Sequence, residues 1–332
     1  MTIEEIIEKV NSSEYDFIRT NPYLNTNVIL LGVGGSHAYG TDIISSDLDC
    51  RGIATRSAKD ILTGKDFEQI TNNVTDTTIY SFDKIVKLLC SCNPNTIEML
   101  GLKPEHYLHL SPAGRLLLDN ADLFLSKKAL KSFGGYAMAQ LNRLYNKSGR
   151  ALEVIENNEA RSINKALIAV CAQQGIDRNK VQVFPDDSIH VNINGDFALE
   201  QFVKIYPAVD SVHTDYCKST RNNKAIEHGK LAKHQMHLTR LYLMAIDILR
   251  DGKIITYREK EHDFLMDIRN GKYLKDETTP TDEFMSIVSD LECEMKSVAE
   301  KSELPDSPDM DKVNELVASV NEKIILENKG IY

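Results

Sequence analysis

Apolar side chains recur with two different spacings in the N-terminal third of the chain. Residues 3–18 carry isoleucine, valine and phenylalanine at helical intervals, which predicts a helix. Residues 27–33, 48–55 and 76–80 are short runs rich in β-branched and aliphatic side chains, which predicts three strands. Ser81 precedes a further helical pattern and is a candidate N-cap. This part of the chain is therefore expected to combine helices with a sheet.

The pattern changes after Pro112, where helical periodicity dominates. A β-like insertion near 181–194 interrupts it, with a hairpin turn expected at 186–188. We therefore expect a mixed α and β region at residues 1–112 and a mainly helical region at 113–332. The helical patterns of the second region cover residues 115–125, 129–146, 162–174, 224–249, 282–301 and 311–327.

Composition and charge narrow the class of protein. The chain is 42% hydrophobic and 27% charged, which is typical of a soluble globular protein. Its 332 residues predict two domains, or one large domain with an appended helical part. The net charge of −10 means that a nucleic-acid partner would have to meet a local basic patch. The longest apolar run, at 28–35, is too short to cross a membrane, and the acidic N-terminus has no signal region. The six cysteines are scattered, as reduced thiols are. We expect a cytoplasmic protein with no membrane partner.

A glycine-rich turn and two acids follow the first predicted strand. Gly35 and Ser36 offer backbone N–H groups and a hydroxyl to an anion. Asp47 and Asp49 lie two residues apart at the start of the second predicted strand, so their side chains leave the same face. Such carboxylates repel each other unless a cation neutralises them, and Mg²⁺ prefers carboxylate and phosphate oxygens. The combination indicates metal-assisted phosphoryl or nucleotidyl transfer.

Other interpretations of these residues are weaker. A dinucleotide-binding fingerprint would need a third glycine where His37 stands, and a P-loop would need serine or threonine where Asp66 follows Gly64 and Lys65. The remaining alternative is that the two acids are merely polar turn and edge-strand residues. Their occurrence together with the glycines and the serine disfavours it.

Five segments together resemble one known family. The segments Gly-Ser-His-Ala-Tyr-Gly at 35–40 and Ser-Asp-Leu-Asp-Cys-Arg-Gly at 46–52 resemble the signature of the DNA polymerase β-like nucleotidyltransferase superfamily. Their longer form resembles the branch predicted to act in an RNA repair pathway. Three more segments resemble further elements of that branch. They are Asn-Pro-Asn-Thr-Ile-Glu at 93–98, residues 233–241 and Ile-Arg-Asn-Gly-Lys at 268–272.

The resemblance implies an α+β fold, with a polymerase β-like mixed-sheet core and a helical C-terminal region. It implies transfer of a nucleoside monophosphate from an NTP to an acceptor hydroxyl, with release of pyrophosphate. It also implies a third carboxylate on a neighbouring strand, for which Asp76 fits best and Asp83 and Asp66 are the rivals. Asp47, Asp49 and Asp76 would then be the catalytic residues and would bind Mg²⁺ or Mn²⁺, while Gly35 and Ser36 would hold the phosphates.

A basic segment at 218–240 stands out in this acidic chain. On a helix, Lys233, His237 and Arg240 share one face. The functional interpretation is a cationic wall that binds the triphosphate or the second substrate across a cleft. The alternative is a solvated basic face whose histidines pack against the core.

The acceptor has three open interpretations. The family points to an RNA end, such as that of a tRNA. A protein-modifying enzyme, AMPylating and toxin-like, would instead use a serine, threonine or tyrosine hydroxyl. The third interpretation is a non-catalytic module that binds a nucleotide or RNA, which would gain little from a repelling carboxylate pair.

Overall fold

The computed structural model describes most of the chain. The predicted helix at 162–174, the hairpin turn at 186–188 and the start of the helix predicted at 224–249 lie outside it. The described residues are 1–148, 181–185, 189–193, 231–276 and 279–327, with the single residues 169, 172, 198–200, 203, 204 and 206.

Nine strands among the described residues form one large sheet and two two-stranded sheets. They are β1 (Val28–Val33), β2 (Cys50–Ala54), β3 (Gln69–Asn72), β4 (Thr77–Ser81), β5 (Tyr107–Leu110), β6 (Val181–Pro185), β7 (Ile189–Ile193), β8 (Leu274–Asp276) and β9 (Thr279–Pro280). The large sheet has the order β3-β4-β2-β1-β5. The pair β2–β4 is parallel and its other pairs are antiparallel. The strands β6 and β7 pair antiparallel, within the β-like insertion predicted near 181–194.

Twelve described α-helices surround these strands. They are α1 (Ile3–Val10), α2 (Asp16–Thr20), α3 (Gly35–Tyr39), α4 (Ala58–Thr63), α5 (Phe82–Cys90), α6 (Pro94–Ile97), α7 (Pro112–Asp119), α8 (Lys128–Ser148), α9 (Leu231–Asp251), α10 (His262–Arg269), α11 (Asp282–Lys301) and α12 (Met310–Glu327). The α+β class is therefore confirmed. None of the described helices is both long and apolar enough to cross a membrane.

Local side-chain hydrogen bonds explain the start of α5 and accompany a break between α1 and α2. The Ser81 side chain accepts a hydrogen bond from the Lys84 backbone N–H, as an N-cap does. The single helix predicted over 3–18 is wrong, because α1 ends near Asn11 and α2 begins at Asp16. The Arg19 guanidinium donates to the carbonyl oxygen of Val10 at 3.2 Å, the last of α1, and to that of Ser12 at 2.7 Å, just after the helix.

Side-chain burial explains which strands the sequence revealed. Every residue of β1 is buried, as its uninterrupted apolar run predicts. The edge strands β3 and β5 are only partly buried and have weak patterns, so sequence analysis missed them. Residues of α1 and α2, such as Ile6, Val10 and Ile18, share one hydrophobic core with Leu31 and Val33 of β1.

The chain divides into two compact units. The first comprises Met1–Gln140, Gln235–Lys272 and Asp282–Tyr332, and it contains the five-stranded sheet. The second comprises Leu141–His234 and Tyr273–Thr281, and it contains the two two-stranded sheets. The division at residue 112 stays a prediction.

Candidate functional site

Two glycines let the chain turn sharply after β1 and pass beside an acid. Gly35 has a φ of +56°, in the left-handed region that favours glycine. A Cβ atom at Gly35 would lie 1.6 Å from Oδ2 of Asp49. The Gly34 N–H donates to the Asp49 carbonyl oxygen at 2.8 Å. The backbone at the start of α3 therefore packs directly against the Asp49 carboxylate.

Parallel pairing brings a second acid to the same place. The register of β2 and β4 pairs Cys50 with Thr77, so the preceding residues, Asp49 and Asp76, are neighbours. The Cys50 N–H donates to the Asp76 carbonyl oxygen at 3.2 Å. Asp76 has a φ of +41°. A non-glycine residue in that region costs about 1–3 kcal/mol, and such residues concentrate at functional sites.

The electrostatics of the pair reflect its crowding. Burial raises the pKa of Asp49 to about 7, and Asp76 adds to the effect through hydrogen bonding and charge repulsion. Arg51 opposes it, and its Nη1 lies 3.8 Å from Oδ1 of Asp76. Asp47 is exposed, and its charge also raises the pKa of Asp49. The site therefore holds negative charge that a proton or a cation has to neutralise.

Carboxylate oxygens in such a cluster suit Mg²⁺ or Mn²⁺, both of which prefer hard oxygen ligands. The donors present are Asp49 and Asp76, with Asp47 two residues before the first of them. Within the described ranges, no group of three or more histidine, cysteine, aspartate or glutamate side chains is already arranged to hold a metal ion.

Both rivals of the predicted third carboxylate have partners of their own. Asp83 pairs with Arg56 at 2.8 Å, and the Asp66 side chain accepts from the Phe67 N–H at 2.7 Å. The second strand begins at Cys50, so Asp47 and Asp49 lie just before it and not within it. Leu48 between them is buried, whereas Asp47 is exposed and Asp49 is half-buried. The catalytic roles of the three acids stay predictions.

A second group of side chains packs against α3. The Tyr39 hydroxyl donates to Oε2 of Glu98 at 2.6 Å. The Arg240 guanidinium carbon lies 3.5 Å from the centroid of the Tyr39 ring, and Arg240 Nη2 lies 3.0 Å from His237 Nδ1. Burial raises the pKa of Glu98, and the Arg240 charge opposes the shift. Segments around residues 39, 98 and 240 thus meet at one place.

The three residues of the predicted cationic wall differ in their surroundings. Arg240 is only 7% exposed and His237 is half-buried, whereas Lys233 is exposed. His237 and Arg240 belong to the first compact unit and Lys233 to the second. Arg240 lies against Tyr39 of α3, the helix that begins at Gly35. A role for these residues in phosphate binding stays a prediction.

Two arginines for which the sequence predicts no role lie beside this group. Arg269 Nη2 donates to Ser46 Oγ at 3.0 Å, next to Asp47. The Arg258 N–H donates to the Tyr39 carbonyl oxygen at 3.3 Å, and its guanidinium pairs with Asp247 of α9. Residues 268–272 formed part of a motif, but nothing local in that motif points to Ser46.

Comparisons with known proteins agree with this architecture. The family described as "RNA repair pathway DNA polymerase beta family" matches residues 4–319. The chain is also similar to a protein of Enterobacteria phage T4, named "Uncharacterized 38.9 kDa protein in nrdC-mobD intergenic region". The two are 22% identical over an alignment of 338 residues that covers 90% of this chain and 97% of the phage protein. No solved structure matches the chain.

Proposed function

Because the chain belongs to the RNA repair pathway DNA polymerase beta family, we propose that it is a metal-dependent nucleotidyltransferase. In the proposed reaction, a nucleoside monophosphate passes from an NTP to the hydroxyl of an RNA end, and pyrophosphate leaves. The observation that carries this proposal is the meeting of Asp49 and Asp76 at the glycine turn, where a Cβ atom on Gly35 would collide with Asp49.

The three acids share a proposed metal-binding role, and Asp76 has a second role. Asp47, Asp49 and Asp76 would hold Mg²⁺ or Mn²⁺. When bound, the ions would neutralise phosphate charge and stabilise the attacking and leaving oxygens. The Asp76 side chain is 58% exposed, so an acceptor can reach it. Asp76 would take the proton of the attacking hydroxyl as a general base.

The phosphates of the NTP would lie along the start of α3. Gly35 and Ser36 would hold the β- and γ-phosphates through backbone N–H groups and the serine hydroxyl. His237 and Arg240, and Lys233 at the start of α9, would add positive charge for the triphosphate or the second substrate. The stacking of Arg240 on Tyr39, within α3, supports this assignment for Arg240.

The proposal is tested by transfer of label from each of four NTPs in the presence of Mg²⁺ or Mn²⁺. The full chain is incubated separately with cellular RNA and with cellular protein, and pyrophosphate is measured. We expect label in RNA, and loss of transfer in Asp49→Asn and Asp76→Asn. Asp290→Asn is the matched control, because Asp290 is an exposed residue of α11.

Other outcomes would replace the proposal. Label in protein with no label in RNA would favour the protein-modifying enzyme. Binding of NTP without release of pyrophosphate would favour the non-catalytic module. Full activity in both acid variants would refute the assigned site.

A further inference from the structure

Three arginines beside α3 have buried N–H groups that no described residue satisfies. The atoms concerned are Nε of Arg240, Nε and Nη2 of Arg258, and Nη1 of Arg269. The side chains of Arg240 and Arg258 are almost completely buried, at 7% and 2% exposed. Buried donors in folded proteins nearly always have an acceptor, so several such atoms in one region need an explanation.

The three arginines are connected through two short segments of the chain. Arg240 stacks on the Tyr39 ring, and the Arg258 N–H bonds to the Tyr39 carbonyl oxygen. Arg269 bonds to Ser46, seven residues after Tyr39. Burial lowers the pKa of Arg269, and the charge of Arg240 contributes to that shift, so these two cations are close enough to repel each other.

Acids near the arginines already pair or hydrogen-bond with other groups. Asp247 pairs with Arg258, and Glu98 accepts the Tyr39 hydroxyl. Asp42 lies 3.2 Å from His37 and 3.5 Å from the N-terminal ammonium group. The charges of Asp42 and Asp47 also act on Arg269, and the charge of Arg240 acts on Glu98. None of these acids accepts a hydrogen bond from the buried N–H groups, so the donors lack acceptors. An anion with several oxygen atoms would supply the missing acceptors.

We propose that Arg269, with Arg240 beside it, forms a phosphate-binding subsite next to Ser46. A guanidinium group binds phosphate oxygens in pairs through its planar fork, which an ammonium group does not do. Arg258 is a positioning residue, since its guanidinium is held by Asp247 and its N–H by Tyr39. Ser46 precedes Asp47, so a phosphate there would lie close to the carboxylate site.

Two phosphates have the required chemistry. One is the triphosphate tail of the NTP, and the other is a terminal phosphate on the RNA acceptor. The choice between them rests on the proposed function, whereas phosphate binding at Arg269 does not. The test therefore measures binding in the absence of metal and turnover.

The experiment titrates the full chain with inorganic tripolyphosphate by calorimetry, without divalent metal. Arg269→Ala is expected to bind roughly tenfold to a hundredfold more weakly, because a hydrogen bond to a charged group is lost. Arg269→Lys should fall between this variant and the wild type, because it keeps the charge but lacks the fork. The matched control is Arg115→Ala, which removes an exposed arginine of α7 and should bind normally.

A second arm distinguishes the two sources of phosphate. RNA oligonucleotides of one sequence are compared with phosphate or hydroxyl groups at their ends. If Arg269→Ala loses the preference for phosphorylated RNA and keeps tripolyphosphate affinity, the acceptor phosphate is the ligand. If Arg269→Ala loses tripolyphosphate affinity and keeps the preference for phosphorylated RNA, the ligand is the triphosphate tail of the NTP.

Melting curves of each variant confirm that it is folded. If Arg269→Ala does not fold, Arg269→Lys decides, and wild-type affinity for both ligands in that variant overturns the proposal. Folded Arg269→Ala that keeps wild-type affinity for both tripolyphosphate and phosphorylated RNA overturns it as well. Absence of nucleotidyl transfer by the wild type, with binding still dependent on Arg269, would refute the proposed function alone.

Discussion

Substitution of Gly35 by alanine should separate backbone strain from disruption of the site. At a φ of +56°, the Cβ atom of alanine costs about 1–2 kcal/mol relative to glycine. The same Cβ atom would lie 1.6 Å from Oδ2 of Asp49, so the carboxylate has to rotate away from its place beside Asp76. A displacement of about 1 Å at a reacting group can lower a rate about 100-fold.

Gly64 provides a matched control for this experiment. Its φ is +68°, and a Cβ atom there would have no neighbour within 4 Å. Gly64→Ala therefore carries the same backbone cost of about 1–2 kcal/mol without touching an acid. Urea denaturation should show a loss of stability in Gly35→Ala at least as large as that in Gly64→Ala, because the clash with Asp49 adds to the backbone cost. Labelled NTP transfer should fall at least about 100-fold in Gly35→Ala alone. Equal transfer rates in the two variants would refute the reasoning.

Three further predictions concern the acids and the group beside α3. The pKa of Asp49 is about 7 in the folded chain against 3.8 as its ordinary value. The metal-free protein should therefore lose stability as the pH rises from about 4 to about 7, because Asp49 ionises in the unfolded chain but stays protonated in the folded one. Melting curves measured over this pH range should show the loss in the wild type and not in Asp49→Asn. Arg240→Ala should raise KM for NTP or acceptor and lower stability by about 1 kcal/mol, because it loses the contact with Tyr39; normal kinetics with normal melting would contradict this. Tyr39→Phe should cost about 1–2 kcal/mol in urea denaturation, because Glu98 loses a buried donor, and wild-type stability would show that this hydrogen bond contributes nothing.

Local features of the fold were predictable from the sequence. The uninterrupted apolar run of β1 produces a fully buried strand, and Ser81 caps α5 as its position indicated. The helix predicted at 282–301 has the same bounds as α11. These features depend on periodicity and on hydrogen bonds between residues a few positions apart, which a sequence shows directly.

The arrangement of the candidate site was only partly predictable. The spacing of Asp47 and Asp49 indicated a cation site, but Asp76 was chosen through the family resemblance. Its position beside Asp49 depends on β2 and β4 being parallel neighbours in register, and no local pattern specifies which strands pair. The positive φ of Asp76 is likewise visible only in the folded chain.

Tertiary structure alone decided what the cationic residues contact. The periodicity of α9 put Lys233, His237 and Arg240 on one face, yet Arg240 is buried against Tyr39 whereas Lys233 is exposed. Arg269 reaches Ser46 across 223 positions of sequence. Helical spacing determines which side chains share a face, but the neighbours of that face are set by how distant segments pack, because burial and pairing are properties of the assembled core.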